Sequence, residues 1–148
     1  VTGHYALLAT GFTGLQILDI ADPTALHRIG AVNTTGFVRT VAVASHYAYI
    51  NDGAQHLVVI DIAMPSAPRI VGRFQFADEI KSLAISNGHA FVATGSTDIH
   101  VLDVGDPPNL SEVGFYHSLD IPYAITVVGD LVYIADGFGG LLILRFQD

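Results

Sequence analysis

The sequence predicts an all-β chain built as a β-propeller of four-stranded antiparallel blades, and three observations predict it. A period of 42 residues runs through all 148 residues with no insertion or deletion. The apolar segments are short and rich in β-branched and aromatic residues, the composition of strands and not of helices. One strand in each copy is apolar on both faces, as in Leu57, Val59, Ile60 and Ile62, so each sheet must be covered on both sides. Sheets of four strands repeated radially meet that requirement.

The period aligns Gly11, Gly53, Gly95 and Gly137. It also aligns Asp19, Asp61 and Asp103, then Pro23, Pro65 and Pro107, then Gly30, Gly72 and Gly114. GLQILDIADP, HLVVIDIAMP and IHVLDVGDPP are copies of one unit, and GLLILRFQD opens another. The expected organisation is a partial blade over 1–35, blades over 36–77 and 78–119, and a partial blade over 120–148.

Within the second copy the strands run over Val41 to Val43, Tyr47 to Ile50, Leu57 to Ile62 and Arg69 to Phe74. Gly3-His4, Ser45-His46, Asn87-Gly88 and Gly129-Asp130 join the first strand to the second, where a two-residue hairpin turn takes positive φ. The aligned glycines Gly11, Gly53, Gly95 and Gly137 join the second to the third, at a tight turn that favours a residue without Cβ. Asp22-Pro23, Met64-Pro65 and Asp106-Pro107 follow the third strand, since proline gives no ladder donor. With the strands of a blade lettered A to D from the channel outward, the chain reads BCD, ABCD, ABCD, ABC. That order suggests a segment of a propeller of six to eight blades; the competing readings are an imperfect four-bladed closure and an assembly of chains.

Composition narrows the function classes. Six Lys and Arg against fourteen Asp and Glu leave a formal charge of −8, which disfavours binding to a nucleic-acid backbone. With no cysteine, disulfides, thiolate metal sites and cysteine nucleophiles are excluded. Although 51% of residues are hydrophobic, no run reaches the roughly 18 apolar residues of a membrane-spanning helix, so no transmembrane segment is expected.

The run Leu57-Val58-Val59-Ile60-Asp61, followed by Ile62 and Pro65, resembles the LVIVD repeat. Leu15-Gln16-Ile17-Leu18-Asp19 and Ile99-His100-Val101-Leu102-Asp103 resemble it less literally, and the last copy has Arg145 in place of the aspartate. The resemblance covers essentially the whole chain. It implies a β-propeller of a bacterial or archaeal surface protein, hence a cell-surface or extracellular location and a largely uncharacterised role; these residues themselves show no signal peptide.

The repeated Asp19, Asp61 and Asp103 are read as structural: an aspartate at a strand end before a proline turn accepts backbone N–H bonds. Calcium would need about six or more oxygens in a loop pattern that is absent, and no metal or other cofactor is expected. No HExxH, no histidine pair at helical spacing and no nucleophile elbow appears.

Function in such a scaffold belongs on the loops, where the copies differ. The B-to-C turns and D-to-A connections share one rim. Arg39, Lys81 and Tyr123 are in register at the start of the innermost strand, and Phe12, His56, Asp98 and Phe138 vary in the turns. These seven residues are the candidate ligand-binding set. The cations Arg39 and Lys81 either bind an anionic or carbohydrate ligand or pair with Asp78, Glu79 or Asp120 nearby. The favoured function is a non-catalytic binding scaffold whose rim recognises a protein or a carbohydrate. The alternative is a propeller enzyme, of hydrolase or lyase type, with a site over the channel.

Overall fold

The computed structural model describes residues 1–147, which contain fourteen strands. They run β1 (Tyr5–Ala9), β2 (Leu15–Asp19), β3 (His27–Val32), β4 (Val41–Ala44), β5 (Tyr47–Asp52), β6 (His56–Asp61) and β7 (Arg69–Gln75). They continue as β8 (Ile80–Ser86), β9 (His89–Thr94), β10 (Asp98–Asp103), β11 (Ser111–His117), β12 (Ala124–Val128), β13 (Leu131–Asp136) and β14 (Gly140–Arg145). All pairs are antiparallel neighbours in sequence, forming sheets β1–β3, β4–β7, β8–β11 and β12–β14. The strand order BCD, ABCD, ABCD, ABC is therefore present sheet by sheet. No helix among the described residues is long and apolar enough to cross a membrane.

The chain divides into two compact units, Val1–Gln75 and Phe76–Asp148. In the first, Leu15 and Ile17 of β2 share a core with Ala48, Ile50, Val58 and Ile60 of β5 and β6. In the second, Phe91 and Ile99 share a core with Ile125, Val132 and Ile134 of the last sheet. Alternation along each strand sends one set of apolar residues to each face. Fully burying one such side chain is worth about 1.5–3 kcal/mol, so the stacked faces carry most of the stability.

The turns follow the repeat. Gly3, Ser45, Asn87 and Gly129 open the four A-to-B hairpins, all with φ between 49° and 63°. At the B-to-C turns Gly11, Gly53 and Gly137 take positive φ, but Gly95 does not; there Thr97 does, at 70°. The first and third copies, each with a threonine before this glycine, differ in its backbone partner: the Gly95 N–H donates to the Glu79 carbonyl at 2.8 Å, whereas the Gly11 N–H donates to the Val38 carbonyl at 3.1 Å.

A further repeated feature is a one-residue bulge between strands C and D. The register shifts at Ile17/Leu18, Val59/Ile60 and Val101/Leu102, leaving Ile29, Val71 and Val113 unpaired just before Gly30, Gly72 and Gly114. Such a bulge bends the strand and increases its twist.

Candidate functional site

The B-to-C turns and D-to-A connections lie at one end of each sheet, and polar side chains at the end of strand B hold them. Asn51 Oδ1 accepts the backbone N–H groups of Arg39 and Thr40 at 2.8 and 2.9 Å. Its Nδ2 donates to the carbonyls of Phe37 and Gly53 at 3.1 and 2.9 Å. Beside it, the buried Asp52 carboxylate accepts the Gly36 N–H at 2.5 Å, the Thr35 hydroxyl at 3.3 Å and the Arg73 guanidinium at 3.0 Å. In the last copy the equivalent Asp136 accepts the Leu119 and Asp120 N–H groups at 3.1 and 3.3 Å. The first and third copies have threonine there, and Thr10 and Thr94 instead donate to the carbonyls of Gly14 and Asp98. The position thus alternates between a carboxylate that grips the incoming connection and a hydroxyl that closes the turn.

Burial alone would push the Asp52 carboxyl up, but the N–H of Gly36, the Arg73 guanidinium and the N–H of Thr35 outweigh it and hold the group below the ordinary carboxylate range. A carboxyl depressed on folding stabilises the fold above its unfolded pKa of about 3.9, and that contribution is lost as pH falls through the folded value. Asp52→Asn is therefore expected to lower the urea midpoint at pH 7 and to match the parent near pH 2. A gap of equal size at both pH values would exclude the carboxylate as its source.

In the first unit Gly11 and Val38 exchange two backbone hydrogen bonds of 3.1 Å, tying the first B-to-C turn to the connection that enters β4. This juxtaposes Phe12 and Phe37, edge to face with ring centroids 5.0 Å apart, and the Arg39 guanidinium lies 5.6 Å from the Phe37 centroid. Phe12 is 75% exposed even so. In the second unit the Asp120 carboxylate accepts the N–H of Phe138 at 2.7 Å and of Ile121 at 2.8 Å, which lowers its pKa. Phe138 is fully exposed, and Leu119 and Tyr123 are exposed with it.

The remaining sequence candidates separate. Lys81 is in β8 and pairs with Glu79 at 2.6 Å, the local ion pair anticipated as one of its two fates. Arg39 precedes β4 and Tyr123 precedes β12. His56 opens β6 opposite Asp52 and Gln75. Asp98 opens β10, where one carboxylate oxygen is bonded to His117 Nδ1 and the other accepts from Ser96 Oγ at 3.0 Å. A second such cross-strand pair joins His100 Nδ1 to the Glu112 carboxylate at 2.8 Å. The Ser96–Asp98–His117 chain has the wrong order for a nucleophilic triad: the carboxylate separates hydroxyl from imidazole, so the histidine cannot take the serine proton.

Asp19, Asp61 and Asp103 each accept the N–H two residues on, from Ala21, Ala63 and Gly105, at 2.8, 2.9 and 2.8 Å. Among the described residues no three His, Asp or Glu side chains form a group that could hold a metal ion.

The LVIVD repeat model matches residues 1–34, 35–75, 79–118 and 123–144. The chain belongs to the LVIVD-repeat family. No curated protein matches it in sequence. Among solved structures, this LVIVD chain is similar to the β-propeller domain of Myceliophteria thermophila Cps50 (Swd1), at 15% identity and a TM-score of 0.81, covering 99% of this chain and 51% of that one. It is also similar to a chain of the mitotic checkpoint complex, at 14% identity and a TM-score of 0.82, covering 99% of this chain and 47% of that one. The designed protein Ika4 matches at 11% identity and a TM-score of 0.78, covering 99% of this chain and 88% of that one. At such identities the likeness shows the fold alone. The LVIVD chain spans about half the length of the Cps50 chain.

Proposed function

We propose that this LVIVD propeller scaffold is a non-catalytic binding module that recognises a protein or carbohydrate at the cell surface through its loop rim. One observation carries the reading: aromatic side chains stand exposed on turns whose backbones are hydrogen-bonded in place, by the Gly11–Val38 pair beside Phe12 and by the Asp120 carboxylate at Phe138. Phe12 and Phe138 occupy the same kind of turn in different copies and are 75% and 105% exposed. Exposed aromatics lose little side-chain entropy on binding and supply large contact area, so they dominate recognition energetics. These bonds, with those of Asn51, Asp52 and Asp136 to the adjoining connections, fix the rim beforehand, which lowers the entropy lost on binding. The location rests on the family alone.

The test is a panel of glycans and secreted proteins applied to the immobilised chain, followed by the double variant Phe12→Ala, Phe138→Ala on any ligand found. Binding is expected to weaken at least about tenfold, in line with hot-spot truncation. The melting temperature is expected to hold, because neither ring is buried. Unchanged affinity would remove the rim from the binding surface.

A further inference from the structure

The two units differ in what fills the gap between their neighbouring sheets at the end opposite the rim, beside the A-to-B hairpins. In the first unit a cavity of about 380 Å³ opens there. The buried Ile17 and Ile62 line it together with the half-buried Leu7 and Tyr5, and the exposed His4, Ser45 and His46 bring polar groups to its mouth.

In the second unit, two periods on, Phe146 stands in place of Ile62, Phe91 in place of Leu7 and His89 in place of Tyr5. The backbone frame is the same. The Ile62 N–H donates to the His46 carbonyl at 2.8 Å, and the Phe146 N–H donates to the Asp130 carbonyl at 2.9 Å. The Phe146 ring packs on His89 and Phe91, with ring centroids 4.7 and 5.3 Å away. An isoleucine at that position ends short of the space a phenyl ring fills, and a leucine in place of Phe91 widens it further. Strand A does not close this gap: where it is present, as β8 in the second unit, it contributes to the walls only Ser86, the equivalent of Thr2.

We propose that the cavity of the first unit binds a single aromatic ring carrying a hydroxyl, that is, a phenol. The occupant's chemistry is read from the second unit, where a ring of this chain already lies in the equivalent place. An apolar cavity of about 150 Å³ suffices for benzene, so the volume admits a ring with a polar substituent. Tyr5 offers the guest the aromatic contact that His89 offers Phe146. The imidazoles of His4 and His46 and the Ser45 hydroxyl supply partners for the phenol O–H. Their equivalents in the second unit are Gly88, Asp130 and Gly129, which bring no imidazole. This site lies away from the rim and does not depend on what the rim binds.

Fluorine NMR of 4-fluorophenol titrated with the chain tests it. A Kd of about 1 mM or tighter is expected for a guest of so few non-hydrogen atoms. Ile62→Phe places the second unit's ring in the first, so it is expected to weaken binding at least about tenfold and to hold or raise the melting temperature. Leu7→Phe serves in its place if that variant fails to fold by circular dichroism. Phe12→Ala at the rim is expected to leave binding unchanged. Displacement of the probe by N-acetyltyrosine amide assigns the ring to a tyrosine side chain, and displacement by p-cresol alone assigns it to a free phenol; either supports the site, and displacement by neither overturns it. A folded parent chain that leaves the fluorine signal unchanged up to about 10 mM probe overturns the proposal. So does binding that survives the filling variants, or binding lost in Phe12→Ala, because the ring would then sit elsewhere.

Discussion

Ile50→Ala is expected to cost about 2–5 kcal/mol, a large part of the roughly 5–15 kcal/mol that holds a domain of ordinary stability. Ile50 is fully buried in β5, with Val41 opposite it on one side and Val58 on the other. Its side chain fills the space between the first two sheets, in the cluster with Leu15 and Ile17. The substitution removes transfer free energy and leaves a cavity that two hydrogen-bonded sheets cannot easily close around. Urea denaturation measures it, and a lost midpoint with unchanged slope is the expected pattern. A loss below about 1 kcal/mol would show that the sheets slide together to fill the space.

The second large effect comes from Gly30, in which φ is not the issue. An alanine Cβ at Gly30 would lie 2.0 Å from the Pro65 carbonyl oxygen, on the loop that follows β6 of the neighbouring sheet. Backbone, and not a flexible side-chain tip, blocks the space. Gly30→Ala is therefore expected to destabilise by about 3 kcal/mol, at the upper end of overpacking costs. A loss below about 1 kcal/mol, read by the same denaturation experiment, would contradict the contact with Pro65.

Gly30 also shows what the sequence could and could not convey. The 42-residue period made the four sheets and their strand order legible, because aligned glycines, aspartates and prolines punctuate every copy alike. It also marked Gly30, Gly72 and Gly114 as one repeated position without showing that the Pro65 carbonyl leaves no room for a Cβ at Gly30. The bulges before these glycines left no local signal, since an extra residue in strand D changes pairing and not composition. The loop anchors were hidden for a different reason. Asp52 meets Gly36 and Arg73, 16 and 21 residues away, so only the folded sheet brings them together. Asn51 alone was detectable, as a polar residue where the other copies have Ala9, Ala93 and Ala135. At the rim, the turns were found by their variation and the exposed aromatics with them. The pairing of Asp98 with His117 was not found, because it joins the first residue of one strand to the last of the next.

The loop anchors divide the positions of this chain into two kinds. Residues 10, 52, 94 and 136 carry the bonds that fix each turn, whereas the residues just beyond them, such as Phe12, Gln55 and Phe138, lie outside the buried core. Sequence drift at the outer positions therefore leaves the frame intact. Selection for a new partner can act on those few side chains one copy at a time, and repeat duplication then multiplies the number of surfaces on which it can act.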